Sequence, residues 1–434
     1  MRMRLYLQLV HKLLYFLAFA FFATSCQAQD IKPAQQNEYQ ESPSVKLGID
    51  VLSQSGFEVL KGKRVGLITN PTGVNHQLKS TVDILFEAEN VNLVALFGPE
   101  HGVRGEADAG KYVGFYTDEK TKLPVYSLYG KTRKPSKDML AGIDVLIYDI
   151  QDIGTRSYTF ISTMGLAMEA ASEAEIEFIV LDRPNPLGGL KIEGNIAEQK
   201  YFSFISQYPI PYVYGLTCGE LAMLLVRENM VKTEPGFTPN IIPMQGWKRH
   251  MNFEDTGLDW IPTSPHIPHA YSPYFYPMTG ILGELRDATS IGVGYTLPFQ
   301  IVGAEWIDSR TLADALNAQK ISGLHFRPIS YTPYYAFGKG KTLHGVQIYI
   351  TNYGEAQLVA AQFHIIFALK KLYPEKDIFD LASPAQTKMF NKAIGSDKIY
   401  DMLKQGADLS KVLAFLNKDT KAFREKSRAY YLYD

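Results

Sequence analysis

The chain has 434 residues, with 44 lysines and arginines against 45 aspartates and glutamates, and two cysteines. A formal net charge of −1 leaves no basic excess to attract a polyanion such as nucleic acid. Two cysteines, Cys26 and Cys218, support neither a disulfide framework nor a cysteine-rich zinc site, and the length exceeds what one hydrophobic core serves, so two domains are expected.

Residues 1–25 read as a signal peptide. Arg2, Arg4 and Lys12 precede the apolar run LLYFLAFAFFA, which is short for a bilayer span. Ala23-Thr24-Ser25-Cys26 puts small residues before a cysteine, as a bacterial lipoprotein box does, so Cys26 is a candidate lipidated first residue, with ordinary cleavage near Ala28 as the plainer alternative. The expected product is exported, periplasmic or at the cell envelope, and attached to the membrane if Cys26 is lipidated. Removing those 25 residues leaves 41 basic and 45 acidic side chains, a net charge of −4. Residues 26–44 are polar, rich in Gln and free of apolar periodicity, which describes a tether.

Residues 45–260 read as a Rossmann-like domain with a mostly parallel sheet. From Arg64 to Met230, β-branched runs alternate with helix-like stretches: RVGLITN, HQLKSTVDILFEAE, VNLVALF, PVYSLYG, DVLIYDI, TFISTMGLAMEAASEA, EFIVLD and TCGELAMLLVRENM. That alternation predicts βαβ units. The loops NPTG, GPEHGVRG, QDIGTRSY and DRPNPLGG follow four of the strands and should converge at one sheet edge, where α/β proteins bind ligands. From Phe237 to Gly283, prolines and aromatics recur too closely for helix. Residues 261–434 then read as a second, smaller α/β domain, from LPFQIVGA, SRTLADALNAQ, GVQIYITN and AQLVAAQFHIIFALKKLY.

The strand-end loops carry most of the candidate chemistry. Glu100, in a partly apolar glycine-rich turn after VNLVALF, suits a general acid, because such a setting disfavours the carboxylate anion. His101 follows it as a residue to position Glu100 or hold a substrate oxygen. Arg104 and Arg156 suit bidentate recognition of a carboxylate, or structural ion pairing instead. Asp149, Asp152 and Asp182 each sit just past a strand, where they either meet ligand or cap the next element. Asn185 belongs to the rigid turn Asp182-Arg183-Pro184-Asn185-Pro186. Tyr158, with Tyr271, Tyr274 and Tyr276, offers aromatic surface for a sugar or for the core.

Several familiar signatures are missing. No G-x-G-x-x-G follows the first strand, Tyr335 stands where a P-loop ending Gly340-Lys341-Thr342 needs glycine, and neither a G-x-S-x-G elbow nor an H-E-x-x-H helix occurs. No cofactor is expected. A metal held by Asp149, Asp152 and His101 stays open as a minor reading, since oxygen-rich sites have loose spacing rules.

The ordered motifs GPEHGVRG, YDIQDIGTRSYTFISTM, LDRPNPLGG and YGLTCGELA resemble those of the NamZ-type, formerly YbbC-like, exo-β-N-acetylmuramidases, and the likeness runs over nearly the whole mature chain. The resemblance implies a nucleotide-free Rossmann-like domain, a smaller C-terminal domain and a catalytic cleft between them. It implies an exo-acting glycoside hydrolase that releases β-1,4-linked N-acetylmuramic acid from the non-reducing ends of peptidoglycan fragments, with muramyl saccharides as its substrate partners. Glu100 matches the family glutamate of G-P-E-H-G as the catalytic acid, with His101 and Arg104 matching beside it. The lactyl carboxylate of muramic acid calls for a cationic partner, for which Arg104, Arg156 and Arg183 are the candidates. Asp149 or Asp152 would orient the 2-acetamido group if that group acts as an internal nucleophile.

Three positions depart from the family pattern. Tyr214 replaces a histidine, Gly283-Glu284-Leu285-Arg286-Asp287 replaces F-E-G-T-N while keeping Glu284 as a matched glutamate, and Gly292-Val293-Gly294 replaces G-R-G. A cell-envelope carbohydrate-binding lipoprotein that lost catalysis through these changes is the alternative function.

Overall fold

The computed structural model describes residues 45–100, 102–105 and 114–434. The expected signal peptide and tether, Cys26 and His101 lie outside the described residues.

Seven strands form the larger sheet: β1 (Arg64–Thr69), β2 (Asn92–Gly98), β3 (Tyr116–Thr117), β4 (Pro124–Ser127), β5 (Val145–Asp149), β6 (Glu177–Leu181) and β7 (Asn240–Ile242). Their order is β3-β4-β2-β1-β5-β6-β7, and every neighbouring pair is parallel except β3 with β4. The central strands are apolar on both faces because successive side chains point to opposite layers. Val145 and Ile147 of β5 pack with the helices Gly48–Gln54 and Thr81–Glu87, whereas Leu146 and Tyr148 pack with the helices Phe160–Glu173 and Cys218–Arg227. Helix Cys218–Arg227 starts on a capping box, in which the Thr217 hydroxyl accepts from the Glu220 backbone and the Glu220 carboxylate from that of Thr217. Strand order reverses at β1, so the carboxyl ends of β1, β2, β4 and β5 open onto one crevice.

A second, three-stranded sheet contains β8 (Ile301–Ala304), β9 (Leu324–Tyr331) and β10 (Leu343–Ile350), ordered β8-β10-β9 and wholly antiparallel. Helices Ser309–Asn317 and Leu358–Leu372 cover it, with Leu312, Leu316, Phe363 and Ile366 buried. The same apolar cluster takes in Ile153, Leu187, Tyr212 and Val213 from the first half of the chain, and the described residues pack as one unit. Among them, no helix is long and apolar enough to cross a membrane.

One strand goes beyond the sequence reading, and one expectation is corrected. Strand β9 carries Pro328, and as an edge strand it tolerates the missing N–H. The Pro-rich connector holds a helix, Ser272–Thr279, which has Pro273 in its first turn and Pro277 inside it. A first-turn proline removes a donor that has no intrahelical partner in any case, and the Pro277 carbonyl accepts from Gln362 Nε2 at 2.8 Å.

Candidate active site

Strand β2 ends at Gly98, whose carbonyl accepts from the Leu128 backbone at 2.8 Å, and the chain then folds back as Gly102 N–H donates to the Pro99 carbonyl at 3.1 Å. A Cβ on Gly98 would stand 3.0 Å from the Val103 nitrogen, and Gly102 has φ +78°, so this turn depends on glycine. It sets Glu100 on the wall of a cavity of about 1040 Å³. That size suits more than one sugar ring, being at the upper end for small-molecule sites.

The wall draws on both halves of the chain. Glu100, Tyr129, Arg133 and Tyr158 come from loops at the carboxyl edge of the large sheet, and Tyr276 and Glu284 from the helix Ser272–Thr279 and the turn after it. Burial, then the charge of Glu100 and hydrogen bonding with it, push the Tyr129 phenol up to about 12, which puts that hydroxyl beside the carboxylate. Tyr276 also has a raised phenol pKa, first from burial and then from Glu284, Glu100 and Asp152. Its hydroxyl lies 3.2 Å from Ser157 Oγ, which lies 2.7 Å from the Tyr212 hydroxyl. Tyr158 donates to Thr263 Oγ1 at 2.8 Å, and its ring meets that of Tyr276 edge-on at 5.7 Å. Burial raises the pKa of Glu284, with Arg286 opposing from 3.6 Å. The result is an aromatic-walled cavity lined by three carboxyl groups, Glu100, Glu284 and Asp287, of which burial holds Glu284 toward its neutral form, an arrangement suited to handling a glycoside.

Of the residues singled out from the sequence, Glu100, Tyr158, Tyr276 and Glu284 line this cavity, and Asp152 lies behind it, close enough to act electrostatically on Tyr158 and Tyr276. Burial pushes Asp152 up to about 6 although the Tyr214 hydroxyl and the Gly154 N–H, at 2.7 Å, both donate to its Oδ2. The others are engaged elsewhere. Arg183 grips Asp149 through Nε at 2.6 Å and Nη2 at 2.9 Å, and Thr81 Oγ1 donates to the same carboxylate at 2.5 Å. Asp182 accepts from Tyr433 at 2.6 Å, Thr217 at 2.7 Å and the Gly219 N–H at 2.8 Å, and burial pushes it up to about 6. Asn185 Nδ2 donates to the Leu216 carbonyl at 2.9 Å and its Oδ1 accepts from Leu187 N–H at 3.0 Å. Arg104 pairs with Asp118 at 2.6 Å and Asp83 at 3.2 Å, holding the Asp118 carboxyl well below the usual carboxylate range.

Arg156 has a different task from carboxylate recognition. It is fully buried, and its five N–H bonds go to Ser206 Oγ and to the carbonyls of Asn195, Ile210, Ala393 and Ile394, at 2.6–3.3 Å. Ala393 and Ile394 end the helix Pro384–Ile394, whose carboxyl terminus favours a cation. The acidic pair proposed for a metal is likewise taken up by Arg183, Thr81, Tyr214 and Gly154. Among the described residues, no group of three or more His, Cys, Asp or Glu is arranged to hold a metal.

Sequence reasoning passed over Tyr129 and Arg133. A signal existed: SLYGKTR follows β4, which is parallel to β2, so its loop had to open on the same edge as Glu100. Of the three departures from the family pattern, Glu284 and Arg286 line the cavity and so does Val293, but Tyr214 is buried behind it against Asp152.

Family models described as "Exo-beta-N-acetylmuramidase NamZ, N-terminal" and "C-terminal" match residues 65–271 and 274–433. The chain is 44% identical over 408 residues to the peptidoglycan beta-N-acetylmuramidase NamZ of Bacillus subtilis (strain 168), covering 94% of this chain and 95% of that protein. A DUF1343 family protein from Bacteroides fragilis NCTC 9343 superposes with a TM-score of 0.87 at 53% identity, covering 90% of this chain and all of that one. A second DUF1343 protein from the same organism gives 0.70 at 29% identity, over 90% of this chain and 99% of the other. With two adjoining models accounting for the chain from Val65 to Tyr433, and its glutamate-bearing strand-end loop opening into the cavity, the protein belongs to the NamZ exo-β-N-acetylmuramidase family.

Proposed function

We propose that this protein is an exo-acting glycoside hydrolase that removes β-1,4-linked N-acetylmuramic acid from the non-reducing ends of peptidoglycan fragments, with Glu100 as general acid. The observation that carries the reading is the place of Glu100: a strand-end glutamate on the wall of a sugar-sized cavity that it shares with the Tyr129 phenol. In this role Glu100 delivers its proton to the glycosidic oxygen as the bond to C1 breaks. Water supplies the hydroxyl at C1 and restores the lost proton. Glu284, kept toward its neutral form by burial, offers a hydrogen bond to a sugar hydroxyl or the acetamide, and Tyr158 and Tyr276 supply flat apolar surface to the ring. Asp152 supports the wall from behind through Tyr214. Export and lipid attachment at Cys26 complete the proposal and would place the enzyme at the cell envelope, where such fragments arise.

The mature protein is expected to split N-acetylmuramyl-β-1,4-N-acetylglucosamine into its two sugars. Glu100→Gln is expected to lower turnover by about two to four orders of magnitude while the fold and saccharide binding persist. Binding without any product from the wild type would favour the carbohydrate-binding lipoprotein instead.

A further inference from the structure

Muramic acid differs from glucosamine by a lactyl ether at O3 that carries a carboxylate, so an enzyme that tells the two sugars apart needs a cation facing that side of the ring. The cavity wall includes three fixed cations, Arg133, Arg286 and Lys392. Arg286 is already paired with Glu284, at 3.6 Å. Lys392 presents an ammonium without the planar fork that matches a carboxylate.

Arg133 differs from both. Its guanidinium stacks over the buried ring of Phe204 at 4.3 Å, and among the described residues it forms no ion pair with a carboxylate. A guanidinium over an aromatic ring is attracted by its π face, keeps its N–H donors for a planar anion, and is more weakly hydrated than an ammonium. Its position relative to the proposed acid is also marked: Tyr129 senses the negative charge of Glu100 and the positive charge of Arg133 at one hydroxyl. Acid, phenol and cation all line the same cavity. On a muramyl ring the glycosidic oxygen at C1 and the lactyl group at C3 are set apart by one intervening ring carbon, which suits an acid and a cation on one cavity wall.

We propose that Arg133, stacked on Phe204, is the specificity-determining residue that binds the lactyl carboxylate of the muramyl unit. This rests on the glycosidase reading of the same cavity. It also moves the role expected of Arg104, Arg156 and Arg183, all engaged elsewhere, to an arginine that follows β4.

Binding of free N-acetylmuramic acid and of N-acetylglucosamine, measured by calorimetry on the wild type, Arg133→Ala, Arg133→Lys and Lys392→Ala, tests it. The expected result is a wild-type preference for the muramyl sugar that falls by about tenfold to a hundredfold in Arg133→Ala, as loss of a charge-assisted hydrogen-bond pair implies. Arg133→Lys should restore part of it, and N-acetylglucosamine should bind all four proteins alike. A preference that survives in Arg133→Ala, or vanishes only in Lys392→Ala, overturns the assignment while leaving the glycosidase reading in place. A wild type with no preference for the muramyl sugar overturns the assignment together with the muramyl specificity of the proposed function, while turnover decides the glycosidase reading separately.

Discussion

The Tyr214 hydroxyl donates to Asp152 Oδ2 where both side chains are buried, and Asp152 Oδ1 has no hydrogen-bond partner. Burial outweighs the donors to Oδ2 and pushes the acid up to about 6, from an ordinary value near 4. A carboxyl pKa raised in the folded state contributes stability that is fully present below the unfolded value and is lost as pH rises through the folded one. Asp152→Asn, a neutral mimic, should therefore gain about 2–3 kcal/mol on the wild type between pH 4 and pH 7, at roughly 1.36 kcal/mol per pKa unit. Urea unfolding of both proteins at the two pH values checks this, and a pH-independent difference would contradict it. Asp182, also pushed up to about 6, adds a slope of the same sign to both proteins and cancels in the comparison.

Arg156 fastens the end of the helix Pro384–Ile394 to loops of the first half of the chain. Arg156→Met takes a donor from the carbonyls of Asn195, Ile210 and Ala393 and from Ser206, while Ile394 keeps Asn195 Nδ2, and should destabilise by about 3–5 kcal/mol, since each unsatisfied buried group costs on the order of 1–3 kcal/mol and relaxation recovers part. A thermal melt reads the loss. A variant that melts like the wild type but no longer binds muramyl saccharides would return Arg156 to the substrate.

For Asp149 and Arg183 the expectation is similar. The two side chains are 0% and 4% exposed and make a bidentate pair, so removing one partner strands a buried charge at a cost of about 3–5 kcal/mol. Asp149→Asn and Arg183→Met should each lower the urea midpoint, and the double variant should lose less than the sum of the two. Additive losses would mean that the pair is not coupled.

Tyr129 offers a readout nearer the chemistry. Tyr129→Phe keeps the ring and removes only the hydroxyl beside Glu100. Turnover of a muramyl substrate should fall about tenfold, as expected for one hydrogen bond lost at the acid, with KM changed little. A rise in KM at constant kcat would make Tyr129 a substrate contact rather than a positioning residue.

The parallel strands were the most legible part of the sequence, because a doubly buried strand must be apolar at nearly every residue, as VLIYD and EFIVL are. The shared sheet edge followed from their alternation with helices, and it leads to Glu100 and Tyr158. What no local pattern conveys is the direction in which a strand-end charge points. Arg183 finds Asp149 34 residues away, and Arg156 finds Ala393 237 residues away, so their burial is a product of tertiary packing. The same holds for Arg133, whose partner Phe204 lies in a distant loop. Pro277 misled for a simpler reason: a short helix tolerates the loss of the donor that proline lacks.

The central claim is that Glu100 supplies the proton in a muramidase. Release of 4-nitrophenol by the mature protein from its β-N-acetylmuramide and from its β-N-acetylglucosaminide tests it most directly when the leaving group is varied. For Glu100→Gln, the account expects severe loss of muramide turnover that lessens when 4-nitrophenol is replaced by the more acidic 2,4-dinitrophenol, which leaves with less need of protonation. The glucosaminide should be a poor substrate throughout. Unchanged muramide turnover in Glu100→Gln, or a loss of the same size for both leaving groups, would contradict the assignment of Glu100 as the acid.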